Sequence, residues 1–396
     1  MSKVLFLSVP SHGHVNPTIG LVSELIKNGE EVIYFATAPF REKIEATGAL
    51  YKQYLYDMDL FKPEEEGIAD PMETVLREGI NIIDDILAQI SNIQFDYIVH
   101  STPFPFTEVF KQLLKIPAIS SLGIFLGLHN FLERADAFPT PPGYTALREK
   151  IKARYDVVLP EKFVATMINL GGLNLVYSSR YFVPAEQLTD DTYRFVGPPV
   201  FNRKENADFP FALLEGKKVI YISLGTVFSN FRPDLYQIFF DAFAGKEVTV
   251  VMAAYKVDLS KFKIPDNFIV RHYIPQLAIL EHTDVAITHA GMNSISDLLY
   301  NDVPFVAIPL GADQPDLAER TTALGATIAL DHRTLTPVLL QDAVEKVLRD
   351  PSYIVNMKKI SDSFKAAGGY ASAVAYIHAY IKRGNQLLER ELVQSS

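Results

Sequence analysis

The stretch VAITHAGMNSISDLLY, residues 285–300, decides how the chain is read. Val285 to Thr288 form a short apolar and β-branched run, the mark of a strand buried on both faces. A turn containing Gly291 follows, and a helical pattern occupies Ser294–Tyr300. Strand, tight turn and helix in direct succession make the unit from which doubly wound parallel sheets are built.

The alternation continues outward in both directions. Lys218–Leu224, Val248–Ala253, Phe268–His272, Phe305–Ile308 and Thr327–Leu330 read as further strands, with helical patterns at Pro233–Phe243, Pro315–Leu324 and Pro337–Leu348. The first half repeats the scheme with strands at Val4–Val9, Glu31–Thr37, Tyr97–His100, Ala118–Leu122 and Asn174–Ser178. Its clearest helix is Pro17–Asn28, with proline suited to the start and Gly29 to the stop. Two rounds of βαβα predict an α/β protein of two doubly wound, Rossmann-like domains. The expected boundaries are 1–200 and 211–375, followed by a helix over 376–396. The stretch 197–210, GPPVFNRKENADFP, is rich in proline and charge and reads as the linker. Asp57–Asp70 and Phe138–Gly143 read as irregular segments.

Composition narrows the function. The 396 residues suffice for two domains with cores of their own, and 48% apolar with 21% charged residues is typical of globular chains. The net charge of −10 argues against a nucleic-acid partner. With no cysteine, disulfides, thiol nucleophiles and thiolate metal sites are excluded. The opening MSKVLFLSVPSHGHVNP lacks the pattern of a secretory leader, and no run of apolar residues is long enough to insert stably in a membrane. The expectation is a soluble cytoplasmic protein, monomer or homodimer. No G-x-G-x-x-G follows a strand, which disfavours a nicotinamide dehydrogenase.

In open α/β sheets ligands bind beyond the carboxyl ends of the strands, so residues just after strands carry the chemistry. His289-Ala290-Gly291-Met292-Asn293-Ser294 combines a donor histidine, a glycine that admits close approach and a helix N-terminus, which together suit an anion. Ser294 and Asp297 also fit a capping pattern, which is the purely structural reading. Ser11-His12-Gly13-His14-Val15-Asn16-Pro17 follows the first strand, where a histidine can serve as general base or the turn chemistry can be all there is. A metal held by His12 and His14 would lack a third ligand nearby in sequence.

The order YIPQ–(12)–HAGMNSISD–(15)–DQ, from Tyr273 to Gln314, resembles the signature of the UDP-dependent glycosyltransferases. The resemblance covers most of the chain and points to the bacterial macrolide- and flavonoid-type branch. It implies a two-domain fold facing a central cleft, the first domain binding the acceptor and the second the UDP-sugar, with the C-terminal helix crossing back to the first. Tyr273 would stack on uracil, the Ile274 backbone and Gln276 would contact the nucleoside, and Asp297, where the family more often has glutamate, would hold the ribose. His289, Gly291, Met292, Asn293 and Ser294 would line the diphosphate, with Gly13, Gly225 and Thr226 near it. Asp313 and Gln314 would hold the transferred sugar, and His14 would be the catalytic base. The family orients that base with an aspartate, and the matching position is Ser101, which can accept an imidazole N–H but brings no charge; either the base is weaker, a carboxylate such as Glu108 takes the role, or the acceptor hydroxyls are acidic and need less help. Phe61, Phe104, Phe106, Phe125, Phe131 and Phe138 are candidates for an apolar acceptor pocket, although core packing accounts for such residues equally well. The implied reaction is an inverting transfer of a hexose, glucose by resemblance, to a hydroxyl of a phenol, flavonoid or macrolide, with no cofactor and no metal. A UDP-sugar epimerase and a non-catalytic UDP-sugar-binding protein are the alternatives.

Overall fold

Continuous apolar runs become the central strands of two parallel sheets. The computed structural model describes residues 2–56, 58, 63–64, 67–68, 71–123, 140–200, 209–226 and 232–394. The chain divides into two compact units, one of Met1–Lys62, Ile68–Pro199 and Ala367–Ser396, the other of Pro63–Gly67 and Val200–Ala366. The expected helical tail began at 376, whereas the return to the first unit begins at Ala367.

In the first unit the strands are β1 (Lys3–Leu7), β2 (Glu31–Ala36), β3 (Leu50–Gln53), β4 (Tyr97–Ser101), β5 (Ala118–Leu122), β6 (Leu173–Val176) and β7 (Tyr193–Phe195). They lie in the order β3-β2-β1-β4-β5-β6-β7, all parallel. Leu7 of β1 sits opposite Phe35 on one side and His100 on the other, which aligns the strand ends. The short flanking strands β3 and β7 lack a buried apolar run (Leu50 is 57% exposed), so periodicity does not reveal them.

The first helix, α1, runs His12–Lys27 and so starts five residues before Pro17. Pro17 lies inside it and has no N–H to give the carbonyl of Gly13, yet the segment stays helical because Val15, Ile19, Leu21, Val22 and Leu25 are buried. The last helix, Gly369–Gln394, packs against α1. The Tyr370 ring lies where a side chain at Gly20 would stand, and its hydroxyl donates to the Pro17 carbonyl at 2.8 Å.

In the second unit the strands are β8 (Val219–Ser223), β9 (Thr249–Ala253), β10 (Phe268–Arg271), β11 (Val285–Thr288), β12 (Phe305–Ala307) and β13 (Ile328–Ala329). Their order is β10-β9-β8-β11-β12-β13, again all parallel. Both sheets reverse direction of growth between their first and fourth strands, β1 against β4 and β8 against β11. A parallel sheet opens a crevice at such a switch point, and ligands bind there.

Candidate active site

The second unit builds its switch point around one imidazole. Beyond β8, Gly225 takes φ +75°, in the left-handed region that favours glycine. Beyond β11, the backbone N–H of His289 donates to the Ser223 carbonyl at 3.3 Å, and its ring Nδ1 lies 3.4 Å from the same oxygen. A Cβ at either Gly225 or Gly291 would collide with His289 Nε2, so the two glycines make the slot the ring occupies. Burial lowers the His289 pKa to about 4, which leaves the ring neutral near pH 7. Ala290, a non-glycine, is held at φ +65° with its N–H on Thr288 Oγ1 at 3.2 Å. Such strain persists only where the surroundings enforce it.

The helix after this turn runs Met292–Tyr300, with Gly291 as N-cap and no side-chain cap. It starts two residues before the expected Ser294. Ser294 and Asp297 therefore lie inside the helix and form no capping box. The first-turn amides of Met292, Asn293 and Ser294 carry no capping side chain, and the helix dipole adds its field.

The neighbouring strand ends supply the other groups. Beyond β10, Tyr273 stands 62% exposed and Ile274 is buried, so Ile274 offers its backbone. Gln276 opens the helix Gln276–Leu280 and donates through Nε2 to Asp297 Oδ2 at 2.6 Å. Beyond β12, the N–H groups of Leu310 and Gly311 donate to Gln314 Oε1 at 2.8 and 3.2 Å. Asp313 is the N-cap residue of the helix Gln314–Ala323, and burial, helped by the charge of Asp316, pushes its pKa up to about 6. Gly225, Thr226, Tyr273, His289, Gly291, Asn293, Ser294, Asp313 and Gln314 thus gather along the carboxyl edge of one sheet.

In the first unit His14 lies in the opening turn of α1, just past β1, and is 8% exposed. Gly13 beside it is exposed. Burial lowers the His14 pKa to about 4. Ser101 does end the adjacent β4, but its hydroxyl lies 3.0 Å from Ser8 Oγ and accepts the Val9 N–H at 3.3 Å. Those bonds secure the end of β1. Glu108 is likewise engaged elsewhere. Its carboxylate accepts from Lys111 Nζ at 2.8 Å and Gln112 Nε2 at 2.9 Å on its own helix. The position facing His14 Nδ1 is Gly123, just after β5, where a Cβ would stand 3.6 Å away. The strand-end glycine in SSLG was its only sequence signal. Phe104 and Phe106 are fully buried in the core, while Phe61, Phe125, Phe131 and Phe138 lie outside the described residues. Among the described residues, no group of three or more His, Asp or Glu side chains is placed to hold a metal ion.

These arrangements stand beside clear relatives. The uncharacterized UDP-glucosyltransferase YdhE of Bacillus subtilis is 35% identical, the match covering 98% of this chain and 100% of the relative. The chain belongs to the UDP-glycosyltransferase family. The family model for UDP-glucoronosyl and UDP-glucosyl transferase matches residues 214–367. The NDP-glycosyltransferase YjiC of Bacillus subtilis is 28% identical, over 96% of this chain and 97% of its own length. Oleandomycin glycosyltransferase of Streptomyces antibioticus is 26% identical, over 96% of this chain and 90% of its own length. Among solved structures, the kitacinnamycin glycosyltransferase superposes with a TM-score of 0.82 at 26% identity, covering 96% and 98% of the two chains. This UDP-glycosyltransferase is therefore an enzyme with the two-domain fold of glycosyltransferases, and the comparisons favour neither the epimerase nor the non-catalytic binder. Among the described residues, no helix is long and apolar enough to cross a membrane.

Proposed function

We propose that the enzyme transfers glucose from UDP-glucose to a hydroxyl of a small apolar acceptor, a phenol, flavonoid or macrolide, with inversion at the anomeric carbon. The observation that carries the donor half is the His289 slot at the mouth of an uncapped helix. Tyr273 stacks on the uracil, and Ile274 and Gln276 meet the nucleoside. The first-turn amides of Met292, Asn293 and Ser294, with His289 and Thr226, receive the diphosphate. Asp313 and Gln314 hold hydroxyls of the sugar, Gln314 through the amide NH2 that its loop contacts leave to it.

His14 is the base. It accepts the acceptor's proton as the hydroxyl oxygen bonds to the anomeric carbon, and the C1–O bond electrons leave with the diphosphate. Developing negative charge on UDP meets the helix N-terminus and His289, which are oriented before the reaction begins. That fixed field does the work often given to a metal ion, so the proposed reaction uses no metal and no cofactor. The relatives named for oleandomycin and 4'-demethylrebeccamycin support an acceptor of similar small-molecule kind.

Mass spectrometry tests the reading. Incubation with UDP-glucose and a panel of phenols and macrolides, with EDTA present, should add one hexose to at least one acceptor. The anomeric proton of the product should show the large coupling of a β-glucoside. An α-glucoside would overturn inversion, and dependence on added metal would overturn the metal-free scheme.

A further inference from the structure

A chain of buried hydroxyls runs beneath the turn that carries His14. Thr18 donates its hydroxyl to the Val15 carbonyl at 2.8 Å, so its oxygen is left to accept from the Tyr34 hydroxyl, 2.8 Å away. Tyr34, on β2, is also hydrogen-bonded to Ser8. Ser8 Oγ lies 3.0 Å from Ser101 Oγ, and Ser101 accepts the Val9 N–H at 3.3 Å. Tyr54 joins the set by donating to the Ser8 carbonyl at 2.9 Å. Thr18, Tyr34, Ser8, Ser101 and Tyr54 are all buried, and the Tyr34 ring stacks on Phe6 with centroids 4.4 Å apart.

The chain grips the segment Ser8–Val15 at both ends. One end is the exit of β1, held through Ser8 and Val9. The other is the Val15 carbonyl, one residue past His14. Between them the helix ladder lacks a bond, because Pro17 has no N–H to give the Gly13 carbonyl. Apolar side chains would fill the same space without the cost of desolvating hydroxyls. What bonded hydroxyls add is one fixed geometry, since each bond has a set length and direction. Burial pushes the Tyr34 pKa up to about 12, so its proton stays on the hydroxyl through neutral pH.

We infer that Tyr34 and Thr18 are positioning residues for the transfer, which hold the His14 turn against the ends of β1 and β4 through Ser8 and Ser101. This rests on the reading of His14 as the base. It also gives the serine at 101 a task of its own. Where an aspartate would bring charge, Ser101 fixes the backbone that carries the imidazole.

Steady-state transfer by the full chain from UDP-glucose to a phenol tests the assignment, with thermal melts confirming that each variant is folded. Tyr34→Phe should lower kcat about tenfold, the cost of a base set slightly out of place, and leave the KM for UDP-glucose unchanged. Thr18→Val should do the same, whereas Thr18→Ser keeps the hydroxyl and should stay within about twofold of the native kcat. Combining Thr18→Val with Tyr34→Phe should be no slower than Tyr34→Phe alone, because both break one chain. The acid limb of the kcat/KM profile should stay in place in every variant, because a neutral hydroxyl adds no charge. A native kcat in Tyr34→Phe, with only the melting temperature lowered, would make the chain structural and the inference wrong. Equal losses in Thr18→Ser and Thr18→Val would also overturn it, since the hydroxyl would then not matter. Should Tyr34→Phe fail to fold, the two Thr18 variants decide alone. If His14→Ala itself keeps the native kcat, the base reading fails and this inference falls with it.

Discussion

The two units share the order of their first six strands and each sets a histidine beside the switch point, His14 after the first strand and His289 after the fourth, yet they hold it differently. His289 is boxed by glycines at 225 and 291 and anchored to the Ser223 carbonyl. His14 rides on the opening turn of α1 and faces the backbone of Gly123. The first arrangement suits a fixed receptor for a ligand of constant chemistry. The second buries the imidazole in the turn after β1, with the Gly123 position facing its Nδ1. A shared fold therefore fixes where chemistry happens, and the residues after each strand decide which chemistry it is.

That contrast can be broken most sharply at His14. His14→Ala should lower kcat about 10²–10⁴-fold, the usual contribution of a positioned base, with UDP affinity unchanged. Steady-state kinetics and UDP titration on the same preparation check both halves. Gly225→Ala should act on the other unit alone. It places a side chain at φ +75° and against the His289 ring, so UDP affinity should drop at least tenfold, about 1.4 kcal/mol, and the melting temperature should fall as well.

Titration sharpens the comparison. Burial lowers both His14 and His289 to about 4, from an ordinary value near 6.5. A base with the lowered value stays unprotonated through neutral pH. The acid limb of the kcat/KM profile should therefore fall near pH 4 and not near pH 6.5. Stability follows the same sign. Because the folded pKa is depressed, the unfolded chain binds the protons that the folded chain refuses. The contribution is full above about pH 6.5 and is lost as pH falls toward about 4. Melting temperatures should decline across that window, and His289→Gln should flatten the decline.

The smallest expected effect lies at the last helix. Tyr370→Phe removes the bond to the Pro17 carbonyl and should lower stability by about 1 kcal/mol, leaving activity intact. Chemical denaturation curves would show it.

The sequence was most legible where one short stretch carries both an element and its ligand groups. His289 to Ser294 follows a buried strand directly, so strand end, turn and helix start are contiguous and their chemistry is local. The weak points were non-local. The edge strands β3 and β7 are short and show no apolar alternation. The start of α1 was set too late because Pro17 fits a helix start, while burial of the following residues carries the helix across it. Ser101 matches a motif position, but its hydroxyl partners, Ser8 and Val9, lie just past β1, 93 and 92 positions away in sequence. Gly123, beside His14, is likewise brought there only by the sheet.

The central claim, that one unit moves the proton and the other holds the nucleotide, is tested by comparing His14→Ala with His289→Ala in UDP titration and single-turnover transfer. His14→Ala should bind UDP as the native enzyme does but transfer sugar about 10²–10⁴-fold more slowly, whereas His289→Ala should bind UDP weakly. Loss of UDP binding in His14→Ala with transfer retained at saturating donor would contradict it.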